Sequence, residues 1–278
     1  MSNFKGKAAI VTGGTKGIGA ACVRLLYERG AGVIAVYGSD KAAAEALAAE
    51  LAFGGNAAVN FGNAANNAGE NAGDNASNAG KAVGQVDFMQ VDVSNIGDIE
   101  RLMAFATERY GGLDILVNNA GIMQSTSIED MTEDEWDRVL AINLKSVFFV
   151  TQKALPLIKA RGGGKIVNMT SLAGRNGGFV NGLAYTASKA GIVGLTKGFA
   201  ARLAPFGINV NAVAPGTTDT GILDGISEEK MAGLMAKIPA GRLGTPEEIA
   251  AATVFLCSDK ADFITGAVLD INGGMYFA

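Results

Sequence analysis

The sequence predicts a doubly wound α/β domain, a parallel sheet of about seven strands covered by helices on both faces. Three observations carry this reading. Short runs rich in Val, Ile and Ala alternate with longer helical patterns along the whole chain. The short runs are nearly continuous in apolar residues, as strands buried on both faces must be. The 278 residues, 49% of them apolar, suit one large domain with a sizeable core. Crossovers between such strands are right-handed.

The first strand, Lys7 to Thr12, runs into Gly13-Gly14-Thr15-Lys16-Gly17-Ile18-Gly19. A helical pattern follows to Arg29, where Gly30 stops it. Gly32 to Tyr37 reads as the second strand, and the Ala/Glu/Leu stretch Lys41 to Leu51 as a helix. Gln85 to Val91 is the third strand, Ile96 to Tyr110 a helix and Asp114 to Val117 the fourth strand. One long helix carrying Trp136 and Phe148 follows, then strand Lys165 to Met169, helix Ala184 to Ala204 and strand Ile208 to Val213. Helix Pro246 to Cys257 and strand Ala267 to Ile271 complete a single domain over residues 1–278.

Residues 53–85 break this pattern. They are mostly Asn, Ala and Gly, with an imperfect four-residue repeat in Asn66-Asn67-Ala68-Gly69, Glu70-Asn71-Ala72-Gly73 and Asp74-Asn75-Ala76-Ser77. A period of four lines up Ala68, Ala72 and Ala76 on one side of a helix, but Asn and Gly disfavour helix by roughly 0.7 and 1 kcal/mol each. The segment reads as a mobile or weakly helical insertion. It joins the end of a helix to the start of the third strand. Ligands in this architecture bind at the carboxyl ends of strands, so the insertion is expected at the opposite edge. A non-catalytic role fits that position, with a subunit contact or partner site as the alternative.

Composition excludes several classes of function. The net charge is −4 with no block of like charges, so no nucleic-acid partner is expected. No apolar run reaches the roughly 18 residues that span a bilayer, and the N-terminus shows no signal-peptide core. No membrane association is expected, and the location expected is cytoplasmic. The chain has no histidine, which removes Ser-His-Asp and Cys-His catalysis and every imidazole metal site. Cys22 and Cys257 each lie in a helical pattern and read as buried thiols, so no metal site is expected. A general acid near neutral pH must then be a shifted carboxyl, Lys, Tyr or Cys.

Gly13, Gly17 and Gly19 follow a strand and open a helix, the context in which a glycine-rich turn admits a pyrophosphate. The helix N-terminus offers free N–H groups and the positive end of its dipole. Downstream, Tyr185 and Lys189 are i and i+4 on one helix face. Tyrosine ionises near pH 10, and a neighbouring ammonium favours the phenolate. Taken alone, this pair is also compatible with an amphipathic helix that buries a tyrosine beside a surface lysine.

The motifs Thr12-Gly13-x-x-x-Gly17-x-Gly19, Asn118-Asn119-Ala120-Gly121, Tyr185-x-x-x-Lys189 with Ser171 upstream, Asn143 in the long helix, and Pro215-Gly216 followed by Thr220 occur in this order. Together they resemble the short-chain dehydrogenase/reductase family, over essentially the whole chain except the insertion. Any one of these motifs is common; the ordered set is specific. The resemblance implies a Rossmann-like fold, a nicotinamide cofactor and a ketone or secondary alcohol as substrate. It implies that Ser171 donates a hydrogen bond to the substrate oxygen and that Tyr185 exchanges the proton. Lys189 would bond the nicotinamide ribose, and Asn143 would hold a water that links Lys189 to solvent. Gly13, Thr15, Lys16, Gly17, Ile18 and Gly19 would line the cofactor turn, with Asn118, Ala120 and Gly121 beside it. Asp92 and Val93 would flank the adenine, although Asp92 also reads as a helix cap. Pro215, Gly216, Thr218 and Thr220 would lie on the nicotinamide side. The spacing from Ser171 to Tyr185 is one residue longer than the family pattern, and the extra residue falls within Gly174 to Leu183.

An acid at the end of the second strand would bond the 2′-hydroxyl of NAD. Tyr37 stands there, Lys16 precedes Gly17 and Ser39 is near, so NADP(H) is preferred over NAD(H), with Asp40 as the counter-argument. Residues 217–244 are expected to cover the substrate, with Ile222, Leu223, Ile226, Met231, Leu234 and Met235 as apolar candidates. A 3-oxoacyl-carrier-protein reductase is the alternative substrate class. The acidic segment Ile128 to Glu133 argues against it, and Lys145, Arg175 and Arg202 argue partly for it. A non-catalytic NADP-binding regulatory or scaffold protein is the alternative of another kind. The resemblance also implies a homotetramer built through two long helices and the C-terminal strand, where Asp270-Ile271-Asn272-Gly273-Gly274 fits the pattern.

Overall fold

The computed structural model describes residues 3–53, 59–62, 84–178, 182–221 and 227–278. The first half runs β1 (Ala8–Val11), α1 (Gly17–Glu28), β2 (Gly32–Tyr37), α2 (Lys41–Phe53), β3 (Val59–Gly62) and β4 (Gln85–Gln90). Then come α3 (Ile96–Tyr110), β5 (Ile115–Asn118), α4 (Glu133–Leu140) and α5 (Ser146–Ala160). The remainder is β6 (Gly164–Met169), α6 (Ala173–Asn176), α7 (Leu183–Leu203), β7 (Ile208–Pro215), α8 (Glu228–Met235), α9 (Pro246–Leu256) and β8 (Val268–Ile271).

The strands form one parallel sheet in the order β3-β4-β2-β1-β5-β6-β7-β8. Their apolar residues divide between two cores by the two-residue period of a strand. Val33, Ala35 and Tyr37 of β2 face a layer that holds Cys22 and Leu26 of α1, Leu47 of α2 and Val254 of α9. Ile34 and Val36 face the other layer, with Leu102 of α3, Val150 and Ile158 of α5 and Leu203 of α7. Both faces are covered, as continuous apolar strands require. From β1 the chain first builds outward through β2 to β4, then returns to place β5 on the other side of β1. The carboxyl ends of β1 and β5 are therefore the switch point of the sheet, where a crevice opens.

Two elements differ from the sequence expectation. The sheet has an eighth strand, β3, inside the insertion. Phe61 of β3 stacks on Phe88 of β4 with ring centroids 5.3 Å apart. Asn60 Nδ2 donates to the buried Asp87 carboxylate at 3.0 Å, and the Tyr110 hydroxyl and Arg109 Nε donate to the same group. Since β3 is parallel to β4, the chain leaves Gly62 at the carboxyl end of the sheet. The expectation that the whole insertion lies at the opposite end does not hold for this part. The weakly helical reading falls on residues 54–58 and 63–83, outside the described residues. The second difference is that the expected single long helix divides into α4 and α5. A π turn over Ala141–Lys145 joins them and contains Asn143. Such turns are rare and often mark functional sites.

Among the described residues no helix is long and apolar enough to cross a membrane, and no group of three acidic or thiol side chains is placed to hold a metal ion. Cys22 and Cys257 are buried, and burial pushes both thiols up, Cys22 to about 12, so neither is a thiolate near neutral pH.

Candidate active site

The strand β1 ends in a turn that only glycine tolerates. Gly13 has φ +61°, and a Cβ on Gly19 would lie 2.0 Å from the Gly13 carbonyl oxygen. Asn119 braces this turn: its Nδ2 donates to the carbonyls of Thr12 at 3.1 Å and Gly13 at 2.9 Å. The Thr12 hydroxyl in turn accepts the N–H groups of Asn119 and Ala120. The turn and the loop after β5 are thus locked together at the switch point. From it extends a cleft of about 1510 Å³. That exceeds the 300–1,000 Å³ of an ordinary small-ligand pocket, and it has room for a dinucleotide beside a substrate.

The cleft gathers most of the residues singled out from the sequence. Gly13, Thr15, Lys16, Gly17, Ile18 and Gly19 line it from the turn, and Tyr37 and Ser39 from the end of β2. Asp92 and Val93 follow β4, and Ala120 and Gly121 follow β5. Ser171, Tyr185 and Lys189 line it from the other side, with Pro215, Gly216, Thr218 and Thr220 after β7. Asp92 does not cap α3. Its carboxylate accepts the N–H and hydroxyl of Ser94, and the cap is Asn95, whose side chain accepts from the Asp98 N–H.

Two predicted residues lie elsewhere. The Asn118 side chain is turned into the interior, where its Nδ2 donates to Thr151 Oγ1 at 3.1 Å and Asn168 Oδ1 at 2.9 Å. Asn168 continues to Thr196, so this buried chain of polar groups ties β5 and β6 to α5 and α7. The neighbouring Asn119 is the one that reaches the cleft, and the alternation of side chains along a strand is the signal that distinguishes them. Asn143 is fully buried behind the cleft. Its Oδ1 accepts the Ile122 N–H at 2.8 Å, and its Nδ2 donates to the Ile122 carbonyl at 3.0 Å and Ser188 Oγ at 3.2 Å. A Cβ on Gly121 would lie 3.3 Å from Asn143 Oδ1 and 3.4 Å from Lys189 Nζ, so these three residues are immediate neighbours. Sequence reasoning passed over Arg138, Lys237 and Met275, which also line the cleft. Their only sequence signal was nearness to segments already assigned to it.

Tyr185 and Lys189 share the inner face of α7, with Lys189 buried and Tyr185 half-buried. Lys189 Nζ donates to the Met169 carbonyl at 2.9 Å and lies 5.7 Å from the centre of the Tyr185 ring. The Lys189 carbonyl accepts the Thr170 hydroxyl at 2.6 Å, which seats α7 against the end of β6. Burial lowers the Lys189 ammonium to about 8. Burial also pushes the Tyr185 hydroxyl up, against the lowering expected from the lysine, and the Ser171 hydroxyl bonded to it pulls the other way. The reason for the difference is that removal from water penalises the phenolate more than its neighbours stabilise it. Ser171 Oγ accepts the Ala173 N–H at 3.1 Å at the start of α6. Two residues on, Arg175 makes a paired contact with Asp270 of β8, Nε to Oδ1 at 3.1 Å and Nη2 to Oδ2 at 3.2 Å.

A glycine turn on a helix N-terminus, opening into a large cleft at the switch point of a parallel sheet, defines a dinucleotide-binding α/β protein. Comparison with known proteins narrows this class. The family model described as enoyl-(acyl carrier protein) reductase matches residues 63–276, and that described as short chain dehydrogenase matches residues 7–68. The chain is 38% identical over 276 residues to a 3-oxoacyl-[acyl-carrier-protein] reductase of Vibrio cholerae, covering 99% of each chain. It is 41% identical over 276 residues to 3beta-hydroxysteroid dehydrogenase 2 of Eggerthella lenta, covering 97% of this chain and 94% of the relative. The chain belongs to the short-chain dehydrogenase/reductase family of oxidoreductases, which act on CH–OH and C=O groups with NAD(H) or NADP(H).

Proposed function

We propose that this protein interconverts a ketone and a secondary alcohol with NADP(H), using Ser171, Tyr185 and Lys189. The observation that carries the reading is the convergence of these three side chains on the same cleft as the glycine turn, with the Ser171 hydroxyl bonded to the Tyr185 phenol. The cradle fits a dinucleotide: Gly13 and Gly19 leave the backbone bare where a Cβ would obstruct it. The nicotinamide of such a cofactor would supply or accept the hydride.

Ser171 donates to the substrate oxygen, where negative charge develops. Tyr185 gives that oxygen a proton in reduction and removes one in oxidation. Lys189, fixed by Met169 and Thr170, directs its ammonium toward the Tyr185 ring and would favour the phenolate against burial. Asn143 holds the Ile122 backbone beside Lys189, which keeps Gly121 and Lys189 in register. At the other end of the cleft, Tyr37 in place of an acid, with Lys16 and Ser39 beside it, favours a 2′-phosphate. Met123, Leu172, Leu234 and Met275 line the cleft with apolar surface and suit an uncharged ketone.

A carrier-bound 3-oxoacyl substrate is the second reading. Its support is the similarity to 3-oxoacyl-[acyl-carrier-protein] reductases and the exposed Arg138 on the cleft wall, a cation for an acidic carrier. The test follows nicotinamide absorbance with NADPH and NADH against free ketones, 3-oxoesters and 3-oxoacyl carrier protein, with Tyr185→Phe as control. Turnover of free ketones with NADPH, abolished in the variant, is the expected result. Turnover confined to the carrier-bound substrate favours the second reading. No turnover in any arm despite tight cofactor binding would leave a cofactor-binding regulator instead.

A further inference from the structure

We propose that Asp40 sets how strongly this cleft prefers a cofactor with a 2′-phosphate, because its carboxylate competes with that phosphate for Lys16. The inference rests on the NADP(H) reading above. Lys16 precedes Gly17 in the glycine turn, and its ammonium forms an ion pair with Asp40 at the rim of the cleft. The second oxygen of the same carboxylate accepts the Ala43 N–H at 3.0 Å in the first turn of α2. Asp40 is therefore anchored by the helix on one side and engaged with Lys16 on the other. The ammonium beside it holds its carboxyl below the usual carboxylate range.

Of the carboxylates lining this end of the cleft, Asp40 is the one that engages Lys16. Tyr37, Gly38 and Ser39 contribute no charge, and a Cβ on Gly38 would meet nothing within 4 Å, so there is space for a bulky substituent. The other nearby cations are paired within their own helices, Lys41 with Glu45 at 3.1 Å and Arg101 with Asp98 at 2.6 Å. A 2′-phosphate thus meets a neutral ion pair in place of a free ammonium. To reach Lys16 it must displace Asp40 or lie against a like charge. A 2′-hydroxyl faces no such conflict and can donate to the same carboxylate, as an acid at the end of the second strand does in NAD-selective sites. The residue sits three positions beyond Tyr37, and the ion pair brings it back to the cleft.

The test measures binding directly, by calorimetric titration of wild type, Asp40→Asn, Lys16→Ala and the double variant with NADPH and with NADH. Asparagine retains an oxygen to accept the Ala43 N–H, so the start of α2 is kept, and Asp40→Ser is the second variant should the first not fold. The expected result is a rise of about tenfold in the NADPH-to-NADH affinity ratio for Asp40→Asn, which is the removal of one like-charge contact. Lys16→Ala should lower the ratio, and in its background the Asp40 substitution should raise it by less than in wild type, since only the direct contact with the carboxylate is then lost. An unchanged ratio in a folded Asp40 variant overturns the proposal and leaves Asp40 as a helix cap. A wild type that binds neither cofactor overturns the cofactor reading itself, which is a separate outcome from an unmoved ratio.

Discussion

Burial drives Tyr185 and Lys189 toward their neutral forms, from opposite charges. On the proposed mechanism Tyr185 would hold its proton until Ser171 and the substrate oxygen draw it away. Replacing Tyr185 by Phe removes the proton and keeps the ring, so turnover is expected to fall roughly 10²- to 10⁴-fold while the fold survives, measured by initial rates and a thermal melt. For Lys189 the folded pKa of about 8 lies below its usual 10.5. The folded protein therefore binds fewer protons than the unfolded chain between those values, and the burden of burying the charge lifts as pH rises through that window. Lys189→Met lacks this dependence. The stability of wild type relative to the variant is expected to rise between pH 8 and 10.5, by about 3 kcal/mol at most, in urea melts across that range. At this scale the sequence disclosed residue types and spacing but not direction. The i, i+4 pair could be read because a helix makes it local. That Asn118 turns inward while Asn119 reaches the cleft follows from strand alternation only once the end of β5 is known. The commitment of Lys16 to Asp40 depends on how the turn meets α2.

The elements were legible wherever apolar periodicity was long enough to repeat. Seven strands and the large helices follow from runs of Val, Ile and Ala. The strand β3 escaped because Val59-Asn60-Phe61-Gly62 is only four residues long within an Asn/Ala/Gly-rich stretch. It is anchored by β4, whose buried Asp87 carboxylate accepts from Asn60. Asp87→Ala would leave Tyr110, Arg109 and Asn60 without that acceptor. A cost of roughly 2 kcal/mol is expected in denaturant melts, less than for a fully buried pair because Arg109 is 39% exposed. The parallel pairing also constrains the segment that follows. Gly62 pairs with Met89 near the carboxyl end of β4 and Gln85 begins that strand, so the two lie about 13 Å apart along the strand direction. Shortening 63–83 below about ten residues is expected to release β3, since parallel crossovers need at least that length. Amide exchange at Val59–Gly62 checks this: protection retained in the shortened chain would show that β3 does not depend on that length. The π turn was also hidden, because Ala-Ile-Asn-Leu-Lys satisfies an ordinary helical pattern and only the docking of Asn143 on Ile122 distinguishes it.

At the scale of the whole molecule, apolar side chains among the described residues stay exposed on α5 and around β8. Phe148 on α5 is exposed, stacked on Phe199 of α7 at 5.7 Å. On a separate face Phe255, Phe263 and Leu269 are exposed around β8, the last strand of the sheet. If each face pairs with its own copy, a closed tetramer with two kinds of dyad results. Light scattering is expected to give four copies, with Leu269→Lys and Phe148→Glu each reducing the assembly to dimers through loss of a different face. The α5 face meets α7, which carries Tyr185 and Lys189, through Phe199, whereas the β8 face leads to Ser171. Asp270 neighbours Leu269 on β8 and holds Arg175, whose guanidinium also lies 5.4 Å from the centre of the Tyr276 ring. Arg175 belongs to α6, which begins at the residue whose N–H bonds Ser171 Oγ. A shift of β8 can thus turn the Ser171 hydroxyl away from Tyr185, whereas a shift of α5 has no such connection through α6. The Leu269→Lys dimer is accordingly expected to lose turnover by about tenfold with cofactor affinity retained, and the Phe148→Glu dimer to lose less. Equal turnover in the two dimers would show that the Arg175–Asp270 contact holds Ser171 without help from a second subunit.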